Sequence, residues 1–416
     1  MKTFNTYYKD AEQFRLFVET NAIKDTPQLL VQIFCAFSDV EIIQAIMNVV
    51  SGMLPSCHII GATTDGEILG ANVHIHTVVI SLTLFEHTTL QSYGMERQSD
   101  CKQLGNAMAQ TLIQEDTRAV ITFVDGISTN GEEYLEGFAL AHNVTVAGGL
   151  AGDLSKFGKT YVFTKELITC NGAVGVALNN PTLHVYSDYN FNWSSIGKEM
   201  TITHAEKNRV YTIDHKTAIE TYANYLGDEV AAMIPNIGIE FPLMLSRNGI
   251  SVARAAVAKN SDGSITFAGN LKTGDKVRLG FGNAELILND AMKSLERVDA
   301  NPIESIFIYA CMARRRFLQE AIGLEIEPWT QIAPVCGFFT YGEFFSTPTA
   351  KLLFNQTMTI LALSEGGSVM SRKPIPCTKP ISRQMVDFAN TCKALSHFIN
   401  KTTEELVESN EKLKDT

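Results

Sequence analysis

Arg314, Thr340, Tyr341, Gly342 and Glu343 combine a cation, a hydroxyl, an aromatic ring, a permissive turn residue and a carboxylate. Arg314 follows a short β-branched run, Ser305 to Cys311, and the other four follow a second run, Gln331 to Cys336. Runs of this length and composition read as buried strands, and the segment between them is long enough for a crossover helix. In such a unit the carboxyl ends of both strands lie on one side of the sheet, where open α/β sheets bind ligands. The five residues are therefore expected at one rim. A guanidinium holds a carboxylate with two parallel hydrogen bonds, and Glu343 or Asp153 could receive an ammonium group, so the set suits a zwitterion. The competing reading is an Arg314–Glu343 ion pair that staples the two strand ends. Arg315 and Arg316 are expected on the solvent face of the helix that follows.

Other chemistry is less well supported. Cys311 and Cys336 end strands and could be nucleophiles, yet no Cys or Ser stands in a nucleophile elbow, and small buried thiols are the simpler reading. Gly61 to Gly66 is followed by Glu67, not by the Lys-Ser/Thr of a phosphate-binding loop. His74 and His76 would share a strand face but have no evident third ligand for a metal. The haem-attachment pattern C-x-x-C-H is absent.

The elements that must position these groups recur. Leu29–Cys35 reads as a strand, Ser38 with Glu41 as a capping box opening a helix to about Met53, and His58–Gly61 as the next strand. That unit ends in Gly61-Ala-Thr-Thr-Asp-Gly-Glu67, against Gly337-Phe-Phe-Thr-Tyr-Gly-Glu343 in the later one. Strand-like runs follow both, Thr77–Phe85 and Met358–Leu363. A looser copy lies between them: Ala119–Val124, a helix capped by Ser128 or Thr129, then Asn143–Ala147 and Gly148-Gly-Leu-Ala-Gly-Asp153. The fold class expected is α/β: two related halves with mixed sheets built from repeated strand–helix–strand units, plus a C-terminal signalling helix. Superposable strand order over Leu29–Leu84 and Ser305–Leu363 would establish the duplication. Between the copies, a helix from Lys216 to Tyr225 closes at Gly227, Asp262-Gly263 signals a hairpin, and Asn283–Glu296 reads as a helix.

The chain has 416 residues, 45% hydrophobic and 19% charged, with a formal net charge of -11. That balance builds ample core and argues against nucleic-acid binding. No apolar run is long enough to span a bilayer, and the N-terminus lacks an apolar signal core. Eight scattered Cys read as reduced thiols in a cytoplasmic protein. Ser371–Pro380 is a Pro-rich basic linker. Beyond it, Ile381, Met385, Phe388, Cys392, Leu395, Ile399, Thr402, Leu406, Ser409 and Leu413 alternate four and three residues apart, which is heptad spacing. This tail is expected to be a helix that pairs in a homodimer and relays a signal. The alternatives are a helix docked on the preceding domain or no pairing at all.

Gly61–Glu67, Gly148–Asp153, Cys311-Met-Ala-Arg314 and Gly337–Glu343, with Pro242, Arg254-Ala-Ala and Leu226-Gly227, together resemble the FIST domain. The resemblance implies an N-terminal FIST half over 29–214 and a C-terminal half over 215–370; the residue pattern adds an N-terminal helical segment over 1–28, the linker (371–380) and the helix (381–416). It implies a sensory module that binds a small, amino-acid-like ligand, and it adds Arg254 to the candidate ligand-binding set of Arg314, Thr340, Tyr341, Gly342, Glu343 and Asp153. A signalling output domain or a partner kinase or cyclase would read the signal. No cofactor is expected in this reading. The alternative, a haem protein sensing nitric oxide, comes from a subgroup of the same family, and an enzyme using Cys311 or Cys336 ranks last.

Overall fold

The computed structural model of the chain describes residues 1–141, 143–283, 287, 297–298, 301–367 and, in the tail, 387, 390–391, 394–395 and 397–406. Two compact units are present: Met1–Asn190 with Ala291–Cys377, and Phe191–Asp290 with Thr378–Thr416.

The first unit runs one pattern three times. The first pass is β1 (Lys2–Tyr7), a helix (Ala11–Thr20), β2 (Leu29–Cys35), a helix (Val40–Met53), β3 (His58–Thr63), β4 (Glu67–Leu69), β5 (Asn72–His74) and β6 (Val78–Leu84). The second is β7 (Thr89–Glu96), a helix (Cys101–Leu112), β8 (Thr117–Val124), a helix (Gly131–Glu136), β9 (Thr145–Leu150), β10 (Val162–Thr164), β11 (Ile168–Thr169) and β12 (Gly172–Asn179). The third opens with β13 (His184–Asn190). The second unit then enters the chain with β14 (Trp193–Glu206), β15 (Arg209–Ile213), β16 (Lys216–Thr217), β17 (Leu243–Arg247), β18 (Ile250–Arg254), β19 (Ala256–Lys259), β20 (Ile265–Phe267) and β21 (Lys276–Gly282). The third pass resumes with β22 (Ser305–Cys311), a helical crossover from Met312 to Gln331, β23 (Val335–Thr340), β24 (Gly342–Ser346), β25 (Lys351–Phe354) and β26 (Met358–Ser364).

Pairing follows the same rule in every pass. The second strand runs parallel to the third and antiparallel to the last, and the last runs antiparallel to the first. The register agrees too: Ile33 faces Gly61 and Ile80, Thr122 faces Gly148 and Gly175, and Ile308 faces Gly337 and Ile360. Each fourth strand then leaves its own pass. β4 pairs with β23, β10 with β3 and β24 with β9, each antiparallel and each bringing its hairpin mate. The result is three six-stranded sheets of matching order, β1-β6-β2-β3-β10-β11, β7-β12-β8-β9-β24-β25 and β13-β26-β22-β23-β4-β5. The expected likeness of Leu29–Leu84 and Ser305–Leu363 is present in strand order and direction, and the looser middle copy shares it.

Strand periodicity explains the core. Leu29, Val31, Ile33 and Cys35 point to one face of β2 and pack with Phe14, Ile43, Ile46, Met47 and Val50 of the first-pass helices. Leu30 and Phe34 point to the other face, where they join Ile121 and Phe123 of β8 and Phe307 and Tyr309 of β22. Phe34, Phe123 and Tyr309 hold the same register position in their passes. Their rings meet, with Phe34 to Phe123 at 6.0 Å and Phe123 to Tyr309 at 5.8 Å.

Several local expectations need correction. The helix Val40–Met53 is capped by Asp39, whose side chain accepts from the N–H groups of Glu41 and Ile42, not by Ser38. Asn130, not Ser128 or Thr129, caps Gly131–Glu136, because both hydroxyls are spent on Asp125. The strand expected over Gln331–Cys336 starts at Val335 and runs on through Thr340, since a 3₁₀ turn holds Glu327–Gln331. In the second unit, Ala218–Leu226 is a helix with Thr217 and Glu220 forming a capping box, and Gly227 closes it at φ 88°. The expected hairpin is there, with Gly263 at φ 80° between the antiparallel β19 and β20. The helix expected over Asn283–Glu296, the linker Ser371–Pro380 and the seam residues Ile381, Met385, Phe388, Cys392, Ser409 and Leu413 lie mostly or wholly outside the described residues. The tail is helical at its described positions. Among the described residues no helix is long and apolar enough to cross a membrane.

Candidate functional site

The turns after β3, β9 and β23 come together. Asp65 N–H donates to the Phe339 carbonyl (2.8 Å), Gly152 N–H to that of Thr63 (2.9 Å), and Tyr341 N–H to that of Leu150 (3.1 Å). By register, Asp65, Gly152 and Tyr341 are the same position in the three passes, as are Phe339, Thr63 and Leu150. The three bonds thus form a closed ring in which each pass donates to another. This junction lies at the carboxyl ends of parallel strands, where such folds bind ligands.

Two of the turns share a buried glutamate. Thr64 Oγ1 donates to Glu67, whose other oxygen accepts from Thr77 Oγ1 (2.5 Å) and N–H (3.3 Å). Thr340 Oγ1 donates to Glu343 at 2.5 Å. Burial raises the Glu67 carboxyl to about 7, opposed by the threonine hydrogen bonds. It pushes Glu343 well above the usual range, opposed by hydrogen bonds from Thr340, the Thr357 N–H and Cys311. Glu343 is fully buried, and burial disfavours its charged form. Gly342 fits the turn with its N–H on Thr340 Oγ1 (3.1 Å), and an added Cβ would press Leu150 at 2.8 Å.

Arg314 is not at a rim. It is fully buried, with Nε on Glu325 Oε2 (3.1 Å), Nη2 on Glu325 Oε1 and Nη1 on the Gln356 carbonyl (2.8 Å). Asn190 Nδ2 completes Glu325 at 2.8 Å. The staple reading is correct in kind, but the partner is Glu325 on the crossover, not Glu343. Arg315, expected on the solvent face, is the arginine at the junction. It pairs with the buried Asp65, passes 6.0 Å from the centre of the Phe339 ring and keeps 20% of its side chain exposed. Its Nε has no hydrogen-bond partner among the described residues. Asp65 also accepts Ser155 Oγ at 2.8 Å, and burial raises its carboxyl against the pull of Arg315.

Tyr341 and Asp153 do meet. The phenol donates to the Asp153 carboxylate and accepts from the N–H groups of Asp153 and Ser155, both at 3.1 Å. Asp153 is otherwise committed to its own loop, accepting from the N–H groups of Phe157 (2.9 Å), Gly158 (2.7 Å) and Lys159 (3.0 Å). Arg254 lies apart from this set in sequence and unit, on β18, buried, with Nη1 on the Ala253 carbonyl at 3.0 Å. The junction is thus Asp65, Asp153, Ser155, Arg315 and Tyr341. Asp65 stood inside the repeated turn motif and Arg315 inside the basic triplet, so both were visible. Ser155 carried no signal.

Cys311 and Cys336 are buried, which pushes the Cys336 thiol up to about 12 and Cys311 well above its usual value, so burial disfavours the thiolate that a nucleophile needs. His74 ends β5 with its ring edge-on to Tyr7, His76 falls beyond the strand at φ 63°, and the described residues hold no cluster of three metal-ligating side chains. A cavity of about 510 Å³ lies at the amino end of β22 and β23, among Phe4, Ile303, Glu304, Ile332 and Pro334. Its described lining offers no imidazole, thiolate or phenol to a haem iron, and its one sulfur is the Met1 thioether.

Comparison with known proteins gives one clear result. The FIST N domain model matches residues 29–216 and the FIST C domain model residues 218–346. No curated protein matches. Among solved structures, a chorismatase aligns over 87% of this chain and 98% of its own at 8% identity, with a TM-score of 0.29, too low to bear on fold or function. Domains of the matched kind are sensory modules of signal transduction. With both domain models matched in order over most of its length, this chain belongs to the FIST family.

Proposed function

We propose that the protein is a cytoplasmic, non-enzymatic sensory module that binds a small amino-acid-like molecule at the junction of the three turns. It would relay occupancy through its C-terminal helix to an output domain or a partner such as a kinase or cyclase. The observation that carries this reading is the Arg315–Asp65 pair. It sets a cation beside an anion at the carboxyl ends of the strands, with the guanidinium partly exposed. An arginine has five N–H donors, and a carboxylate can take two of them side by side. Calorimetric titration with a panel of amino acids tests it. Arg315→Ala should weaken binding of the active compound at least about tenfold, the scale of one lost charge-assisted bond. Equal binding by wild type and variant would remove the site from this junction. An absorption spectrum of the purified protein with a Soret band would instead favour the haem alternative.

A further inference from the structure

Between the third and fourth strands the first and third passes use tight turns, from Thr63 to Glu67 and from Thr340 to Gly342. The second pass runs from Leu150 to Val162 over the same step. The added loop is tightly held. Leu154, Ser155 and Phe157 have φ of 57°, 62° and 51°, a region side chains other than glycine seldom adopt, and strain of this kind persists only where surrounding contacts impose it. Those contacts point at the junction. Ser155 Oγ donates to Asp65, the N–H groups of Asp153 and Ser155 reach the Tyr341 hydroxyl, and the Phe157 ring stacks on Tyr341 at 5.0 Å and 24°. The loop therefore occupies the Asp65 oxygen that Arg315 leaves over, together with the Tyr341 phenol.

We propose that residues 153–161 form a strap across the junction and that ligand binds by exchange. The ammonium of the ligand takes the Asp65 oxygen from Ser155, and its carboxylate takes the partly exposed guanidinium of Arg315. Exchange keeps Asp65 satisfied while replacing a neutral hydroxyl donor by a charged one, so it favours an amino acid over the matching hydroxy acid. The ligand half of this inference rests on the function proposed above; the strap does not.

The strap carries its own reporters, since Lys156 and Lys159 are exposed. Limited trypsinolysis of the ligand-free protein should cut at these two bonds about fivefold faster in Ser155→Ala and in Tyr341→Phe, the scale of one net hydrogen bond in the opening equilibrium, with cutting at Lys401 unchanged. Wild-type rates at both bonds in both variants would overturn the strap. A thermal-shift titration with an equimolar mixture of the twenty amino acids tests the exchange. The midpoint should move to lower concentration in Ser155→Ala, because the internal competitor is gone. An unmoved or higher midpoint overturns the exchange. A mixture that shifts neither protein overturns the ligand reading and the exchange together, and leaves the strap to be decided by the protease.

Discussion

Arg314 and Arg315 stand side by side in the helix Met312–Leu318, and one residue turns a helix by about 100°. One side chain therefore enters the core while its neighbour reaches the junction. Sequence could mark the arginine triplet and the Thr-x-Gly-Glu turns but not which arginine faced inward, because seven residues of helix are too few for a periodicity to phase. The burial of Arg314 makes it the costlier of the two to remove. Removing Arg314 strips a buried Glu325 of its charge partner, which costs about 3–5 kcal/mol, whereas Arg315→Ala, with a partly exposed arginine and an Asp65 that keeps its Ser155 hydrogen bond, should cost less, about 1–3 kcal/mol. Urea melts of the two variants decide it, and equal losses would contradict the assignment. Glu67 gives a pH prediction. Its folded-state carboxyl is raised from 4.5 to about 7, so the unfolded chain gives up this proton first as pH rises. The stabilisation is complete below pH 4.5 and is lost as pH climbs to about 7, a fall on the order of 3 kcal/mol. Glu67→Gln should flatten that part of the stability–pH curve. An unchanged slope would mean that Glu67 is ionised in the fold across this range.

Strands and their partners decide how much a sequence can show. The parallel pairs β2–β3 and β22–β23 were legible because each is a β-branched run on either side of a crossover. Their fourth strands were not, since β4 and β24 pair with strands far away in the chain and short strands carry little pattern of their own. The repeated glycine has a physical reason that only the paired strands reveal. Gly61, Gly148 and Gly337 each hold the register position opposite the second strand, and a Cβ at any of them would run into a backbone carbonyl there, that of Ile33, Thr122 or Ile308. Neither the strand nor its carbonyl can yield without breaking the ladder. Gly337→Ala should accordingly destabilise the first unit by about 3 kcal/mol or more, beyond the ordinary helix or strand propensity change. Gly52→Ala is the control, because a Cβ there meets nothing within 4 Å. Equal denaturant midpoints for the two variants would show that the strand pair accommodates the methyl group.

At the scale of the molecule, the three passes interlock through their exchanged strands, while the tail offers a surface of its own. Leu395, Phe398, Ile399 and Leu406 are 56%, 66%, 39% and 65% exposed. Leu395, Ile399 and Leu406 are spaced four and seven residues apart, as a heptad seam requires, and the described part of the tail is helical there. An apolar stripe left in water favours association, and a second copy presents the same stripe with the same spacing, which a two-fold pair needs. Thr402 sits in the seam, where its hydroxyl turns back to the Phe398 carbonyl, so the pairing should be weak enough for a ligand-driven shift to bias. The full chain should therefore scatter light as a dimer at micromolar concentration, and a chain ending at Pro380 as a monomer. Monomers in both cases would leave the tail a single exposed helix and would require the signal to leave the first unit by another route.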